Sequence, residues 1–134
     1  MALILIVDDD ETIRDMLYDL FESEHKCHSA ETAEQALAWL GSESYDVVLT
    51  DISMPGLSGI ELLGHIKQHQ PDTPVIIISG MSDKEQAQGL LKMGAFDYLV
   101  KPFRLQGVEE SVGRALEERK RVRGGESRSV SGED

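Results

Sequence analysis

Short apolar runs alternate five times with longer amphipathic segments along 134 residues, which predicts an α/β domain built on a doubly wound parallel sheet. Runs such as Leu3-Ile4-Leu5-Ile6-Val7 and Val75-Ile76-Ile77-Ile78 contain no polar member, as strands covered on both faces require. The links between strands and helices are short, and parallel strands joined in this way make right-handed crossovers. A single domain over residues 1–120 accounts for the pattern, and it is large enough to bury a core without disulfides or metals.

The first strand, Leu3 to Val7, delivers Asp8-Asp9-Asp10 at its end. Asp10 and Glu11 then supply the negative charge that a helix N-terminus favours, and Ile13, Met16, Leu17 and Leu20 follow at helical spacing. A short strand around Cys27 to Ser29 comes next. Thr32-Ala33-Glu34-Gln35 reads as a capping box for a helix with the inward stripe Ala33, Ala36, Leu37 and Leu40, ended by Gly41. Val47-Val48-Leu49 is the third strand, finishing at Thr50-Asp51, and Met54-Pro55-Gly56 turns the chain. Ser58-Gly59-Ile60-Glu61 is a second capping box, opening a helix that points Ile60, Leu63 and Ile66 inward. Pro71 and Pro74 bracket the approach to the fourth strand, Val75 to Ile78, which Ser79-Gly80 ends. Ser82-Asp83-Lys84-Glu85 reads as a third box, before a helix through Ala87, Leu90 and Leu91 that stops near Gly94. Phe96 to Val100 is the fifth strand, running into Lys101-Pro102. A last helix from about Leu105 carries Leu105, Val108, Val112 and Leu116 three or four apart. The stripe decays after Arg119, and the Gly/Ser-rich residues 121–134 are expected to form a flexible tail or the start of a linker to a further domain.

Composition removes several functions. A net charge of −12 repels phosphate backbones and anionic lipid, and aromatics at 5% are sparse for base stacking, so neither nucleic acid nor membrane is expected as a direct partner. Cys27 is the sole cysteine, which rules out an intramolecular disulfide or a cysteine-based zinc site and fits a reducing compartment. The apolar run at the N-terminus is too short to span a bilayer and leads into acid, so a cytoplasmic location is expected.

Four strands end in polar groups at the same edge of the sheet: Asp8 and Asp9, Asp51, Ser79, and Lys101. In open parallel sheets ligands bind beyond the carboxyl ends of the strands. Carboxylates gathered there repel one another until a proton or a cation joins them. Oxygen donors with access to water suit Mg²⁺ better than zinc. Mg²⁺ beside a lysine ammonium and a serine hydroxyl makes a pocket for a phosphoryl group, and one carboxylate is left as nucleophile. Asp51 is the candidate, because no helix starts until near Ser58 and a capping role is unavailable to it. Asp10 reads as a cap.

Other candidates reduce to packing. His65 and His69 stand one helical turn apart without a third ligand. In His25-Lys26-Cys27-His28 the cysteine is a small inward hydrophobe, and Trp39 packs beside its helix's apolar stripe. Gly56 and Gly59 mark a turn and a helix start, since no Gly-Lys-Ser/Thr follows them.

Together, Val7-Asp8-Asp9-Asp10, Leu49-Thr50-Asp51-Ile52-Ser53-Met54-Pro55-Gly56, Ile78-Ser79-Gly80 and Gly94-Ala95-Phe96-Asp97-Tyr98-Leu99-Val100-Lys101-Pro102-Phe103 resemble the receiver domain of bacterial two-component response regulators. The resemblance covers residues 1 to about 120. It implies a flavodoxin-like sheet of strand order 2-1-3-4-5 with five helices. It also implies that Asp51 accepts a phosphoryl group from a histidine kinase, with Mg²⁺ held by Asp8, Asp9, Asp51 and the Ser53 backbone carbonyl. Lys101 and Ser79 would contact the phosphoryl oxygens, and Ser79 and Tyr98 would switch conformation. A cis Lys101-Pro102 peptide is a further implication. The fourth helix, fifth strand and fifth helix would report the switch to an output domain or partner, with regulation of transcription as one outcome. Such a domain catalyses its own phosphotransfer and dephosphorylation without being a metabolic enzyme. Ser53 and Met81 stand at positions that tune phosphate lifetime in the family. The extension Arg114-Ala115-Leu116-Glu117-Glu118-Arg119 is similar to receivers that precede nitrogen-regulator-type activators. Homodimerisation through the fourth and fifth helices enters as a hypothesis. The alternatives are a stand-alone or phosphorylation-independent receiver-like interaction domain and a Mg²⁺ phosphatase of the haloacid-dehalogenase type. The phosphatase class needs a second Asp where Ser53 stands.

Overall fold

The five apolar runs pair as five parallel strands in the order β2-β1-β3-β4-β5. The computed structural model describes residues 1–80 and 83–131, with side chains as far as Val122. In chain order the elements are β1 (Leu3–Val7), α1 (Glu11–Phe21), β2 (Lys26–Ala30), α2 (Ala33–Ser42), β3 (Val47–Asp51), α3 (Gly59–His69), β4 (Val75–Ser79), α4 (Lys84–Lys92), β5 (Asp97–Val100) and α5 (Leu105–Ser131).

Alternation along each strand separates two cores. Leu5, Val7, Val48, Val75 and Ile77 face one side, where Ala33, Ala36 and Leu40 of α2, Leu62, Leu63 and Ile66 of α3, and Leu90 of α4 cover them. Ile4, Ile6, Val47, Leu49, Ile76 and Ile78 face the other side, against Leu17 and Phe21 of α1 and Val108, Val112 and Ala115 of α5. Each fully buried Leu or Ile contributes about 1.5–3 kcal/mol, so both faces of the sheet resist a slip in register. Cys27 lies inward within the second core, and Trp39 packs against the first.

Several local expectations change. β3 and β4 run further than their apolar letters, so Asp51 and Ser79 are the last residues of their strands. At α2 the Thr32 side chain accepts from the Gln35 N–H, yet Gln35 reaches back to the N–H of Glu31, one residue before the cap. The same helix passes through Gly41 and ends one residue later, where the N–H of Glu43 donates to the Trp39 carbonyl. The box at Ser58 and Glu61 is reciprocal, as expected. α4 is capped by Asp83, whose carboxylate accepts from the Gln86 N–H; Ser82 and Met81 lie outside the described residues. Leu91 and Leu105 are exposed, because Leu90 takes the inward position on α4 and the buried stripe of α5 begins a turn later at Val108. Ile60 and Leu116 pack at the margins of their cores. α5 continues past the end of its apolar stripe to Ser131, since extending an anchored helix is far easier than nucleating one.

Two glycines are tied to close approaches. Gly56 adopts φ +79°, the left-handed turn that its place after Met54-Pro55 predicts. Gly59, the first residue of α3, packs so closely on the end of β3 that a Cβ there would lie 2.2 Å from the Asp51 carbonyl oxygen and 2.7 Å from the Ile52 Cα. Gly64, on the exposed side of the same helix, has open space around it. Gly59→Ala is therefore expected to lose about 1–3 kcal/mol in urea unfolding. Gly64→Ala should gain about 0.5–1 kcal/mol. Equal effects of the two substitutions would contradict the close packing of α3 on β3.

Candidate functional site

β1 and β3 are neighbours, so their carboxyl ends carry Asp8 and Asp51 to adjacent points of one edge. Three hydrogen bonds fix Asp8: its N–H donates to the Ala30 carbonyl at 3.1 Å, its carbonyl accepts from Arg14 Nη1 at 2.8 Å, and Oδ1 accepts from the Asp10 N–H at 2.9 Å. Asp10 turns its own carboxylate to the N–H groups of Thr12 and Ile13 and caps α1, as its position predicts. Asp9 remains exposed. Asp51 is buried, and its Oδ1 accepts from the Ser53 N–H at 3.2 Å. Asp8, Asp9 and Asp51 each present a carboxylate oxygen within 4.8 Å of the others, and among the described residues they are the only such grouping of three or more His, Cys, Asp or Glu.

Lys101 enters from the end of β5. Its N–H donates to the Ser79 carbonyl at 2.7 Å, and the Lys101-Pro102 peptide is cis. The ammonium lies 3.0 Å from Asp8 Oδ2 and 3.4 Å from Asp51 Oδ2. The contact with Asp8 is an ion pair to a buried oxygen that accepts no other hydrogen bond. Ser79 is wholly buried and pairs in register with Val100, next to Lys101. Tyr98 is half-buried on β5, and its hydroxyl donates to Gln86 Oε1 of α4 at 2.9 Å.

Burial and crowded charge perturb the Asp51 carboxyl. Burial, and then the neighbouring Asp8 charge, push the Asp51 carboxyl above the ordinary aspartate range; the Ser53 N–H and the Lys101 ammonium oppose this without cancelling it. Burial pulls the Lys101 ammonium down, but Asp8 and Asp51 together outweigh it and leave a net rise. One ammonium thus bridges Asp8 and Asp51, with the Asp9 carboxylate beside them. An all-oxygen donor set of three carboxylates with a single positive charge fits a hard divalent cation.

The structure therefore brings together Asp8, Asp9, Asp51 and Lys101, sets Ser79 beside Lys101, and leaves Tyr98 tied to α4. The rings of His65 and His69 stack with centroids 4.2 Å apart on α3. His28 stacks on Trp39 at 4.1 Å and bonds the Tyr45 hydroxyl at 2.8 Å. Sequence reasoning missed Arg14 on the Asp8 carbonyl, and Gln86 on Tyr98. It also missed Asp97, whose carboxylate accepts from Ser111 Oγ at 2.7 Å and Arg114 Nη2 at 3.0 Å. For Arg14 a signal existed: it is the only Lys or Arg before Lys26, in a segment rich in acidic and apolar residues.

Known proteins resemble this chain in sequence and in fold. The family described as response regulator receiver domain matches residues 4–112. The DNA-binding transcriptional regulator NtrC of Salmonella typhimurium is 41% identical over 116 residues, covering 86% of this chain and 25% of that protein. The response regulator protein FleR of Pseudomonas aeruginosa is 36% identical over 114 residues, covering 84% of this chain and 24% of its own length. The chain thus spans about a quarter of the length of these curated relatives. Among solved structures, a response regulator receiver domain protein from Clostridium thermocellum superposes with a TM-score of 0.85 at 34% identity, covering 91% of this chain and 99% of that one. NtrX from Brucella abortus superposes with a TM-score of 0.88 at 36% identity, covering 93% of this chain and 29% of that one. Neighbouring strand ends that carry Asp8, Asp51, Ser79 and Lys101 on a 2-1-3-4-5 sheet, together with these matches, make the chain a member of the response regulator receiver domain family.

Proposed function

We propose that this receiver domain accepts a phosphoryl group on Asp51 from the phosphohistidine of a partner kinase. The observation that carries the reading is the pairing of a buried Asp51 carboxylate with the Lys101 ammonium beside the carboxylates of Asp8 and Asp9. In the transfer an Asp51 carboxylate oxygen attacks phosphorus while the phosphorus–nitrogen bond to the donor imidazole breaks. The imidazole leaves with that electron pair and takes up a proton from water. Asp8, Asp9, Asp51 and the Ser53 carbonyl would hold Mg²⁺, which when bound neutralises charge on the phosphoryl oxygens. Lys101 would stay charged and bind one phosphoryl oxygen, while the Ser79 hydroxyl donates to another. This makes the domain a catalyst of its own phosphotransfer and dephosphorylation, with no metabolic substrate.

Added negative charge at Asp51 would draw Lys101 and Ser79 toward the phosphoryl group. Ser79 belongs to β4 and Tyr98 to the neighbouring β5, so a shift at Ser79 would bear on the contact between Tyr98 and Gln86 of α4. α4, β5 and α5 would then pass the signal to an output domain or partner. Leu91, Met93 and Leu105, each more than 40% exposed, lie on or beside α4 and α5, which supports a protein-binding face there, including homodimerisation. Residues 121–134 would lead from the receiver domain at 1–120 toward an output domain; the far greater length of NtrC and FleR supports this. Among the described residues no helix is long and apolar enough to cross a membrane. Burial, and then Glu22, push the Cys27 thiol up to about 11, so it stays protonated, as befits an unpaired thiol in the cytoplasm.

Two outcomes are expected. Incubation with acetyl phosphate and Mg²⁺ should add the mass of one phosphoryl group to the intact chain; Asp51→Asn should abolish the adduct, and Lys101→Ala or chelation of Mg²⁺ should reduce it at least tenfold. Persistence of the adduct in Asp51→Asn would falsify the assignment. The second outcome concerns the metal-free fold. The carboxyl of Asp51 titrates above its ordinary range when folded, so the native state keeps a proton that the unfolded chain has lost. Its contribution to stability is therefore full below the ordinary aspartate range and declines as pH rises through the raised value. Without metal at pH 7, Asp51→Asn should melt about 2–8 °C higher than wild type, and the difference should shrink toward pH 4. A lower melting temperature for Asp51→Asn at pH 7 would show that Lys101 already compensates the charge.

A further inference from the structure

Arg14 and Glu34 each grip the backbone beside the acid pocket without belonging to it. Arg14 has many carboxylates near it in sequence, yet its best contact is with a peptide: Nη1 donates to the Asp8 carbonyl at 2.8 Å. The Arg14 side chain is only 15% exposed, and its ion pair with the largely exposed Glu31 is long, at 3.6 Å, and so is worth little. With its N–H, carbonyl and Oδ1 all bonded, Asp8 has Oδ2 as the oxygen that pairs with the Lys101 ammonium and accepts no other hydrogen bond.

Glu34 acts on the second loop. From the first turn of α2 it crosses 23 positions in sequence, and Oε2 accepts the Leu57 N–H at 3.3 Å. Its carboxylate occupies the space that a side chain at Gly56 would need, with Oε2 2.9 Å and Oε1 3.3 Å from an ideal Cβ there. The loop that contains Ser53 is thereby tied at Leu57 by Glu34, and at Gly59 by the N–H that donates to the Ile52 carbonyl at 3.0 Å.

We infer that Arg14 and Glu34 are positioning residues for the divalent cation, Arg14 by fixing the Asp8 peptide and Glu34 by fixing the loop after Asp51. The inference rests on the reading of Asp8, Asp9 and Asp51 as a Mg²⁺ site. The opposite charges of the two residues provide its test. Through charge alone, loss of Arg14 would tighten cation binding and loss of Glu34 would weaken it. Through position, both losses weaken it, as removal of outer-shell partners of metal ligands does.

Mg²⁺ alone is titrated into the whole chain by calorimetry, with the folded fraction of each variant checked by circular dichroism. Arg14→Ala should weaken binding about 3–10-fold and Arg14→Lys should recover most of it. If the alanine variant does not fold, Arg14→Gln takes its place with the same expectation. Glu34→Asp, which keeps the charge and loses the reach, should also weaken binding about 3–10-fold; Glu34→Gln, which keeps the acceptor and loses the charge, should stay within about twofold of wild type. Tighter or unchanged binding in the Arg14 variant, or weak binding in Glu34→Gln with normal binding in Glu34→Asp, overturns the inference and leaves the Mg²⁺ site standing. Failure of the wild-type chain to bind Mg²⁺ overturns the site and the inference together.

Discussion

Mutual repulsion of carboxylates in a half-dry pocket is the constraint on which the rest of this domain depends. Asp8 and Asp51 are both buried, Asp9 stands beside them, and a single ammonium from Lys101 pairs with the first two. Left alone, such a cluster spreads apart or takes up a proton, and the upward push on the Asp51 carboxyl, from burial first and the Asp8 charge second, favours the proton. The cluster persists because each acid stands at the end of a strand whose side chains cannot leave the core. Two hydrophobic layers, one on each face of the sheet, thus hold charges in place that would otherwise separate.

That constraint explains details that look unrelated. Gly59 lets α3 begin against the carbonyl of Asp51, close enough for its N–H to reach the Ile52 carbonyl and close the loop. Asp10 gives its carboxylate to the N-terminus of α1 and its N–H to Asp8, so the third acid of the triplet restrains the first. Lys101 is steered by its own backbone, which bonds the Ser79 carbonyl and so couples the ammonium to the hydroxyl-bearing strand. Each device costs little in stability terms, and each removes a direction in which the pocket could relax.

How much of this is legible in sequence depends on whether the information is local. Unbroken apolar runs and period-two burial are local, which is why the strands and their polar ends at Asp8, Asp51, Ser79 and Lys101 can be read from the letters. The reciprocal box at Ser58 and Glu61 is local too. At α4 the letters Ser82-Asp83-Lys84-Glu85 read as a box opening at Ser82, whereas the helix is capped one residue later by Asp83. Leu105 shares the helical spacing of Val108 and Val112, yet it lies beyond the edge of the sheet, so periodicity alone misjudges it. Contacts between distant residues leave no trace in any window of sequence: Glu34 on Leu57, and Asp97 bridging Ser111 and Arg114. Residue type and strand position suffice to offer Asp51 as nucleophile and Lys101 and Ser79 as the lining of a phosphoryl pocket; only the resemblance to receiver domains gave Ser79 and Tyr98 their switching roles.

The two ends of the sheet are built for different mechanical tasks. At the amino edge Arg119, nearly buried, donates from Nε to Asp46 Oδ1 at 2.9 Å and from Nη1 to Thr73 Oγ1 at 3.3 Å. Thr73 in turn donates to the Tyr45 carbonyl, and the other oxygen of Asp46 accepts the Leu3 N–H. This network joins α5 to β1 and to the connections entering β3 and β4; removing one member would strand the others away from water, which is what makes such networks rigid. At the carboxyl edge, the hydroxyl of Tyr98 meets an amide on α4, and an ammonium lies between two carboxylates. Those contacts can exchange partners without opening either core. A change of charge at Asp51 is therefore met by rearrangement at its own edge, while the anchored amino edge holds α5 against the sheet.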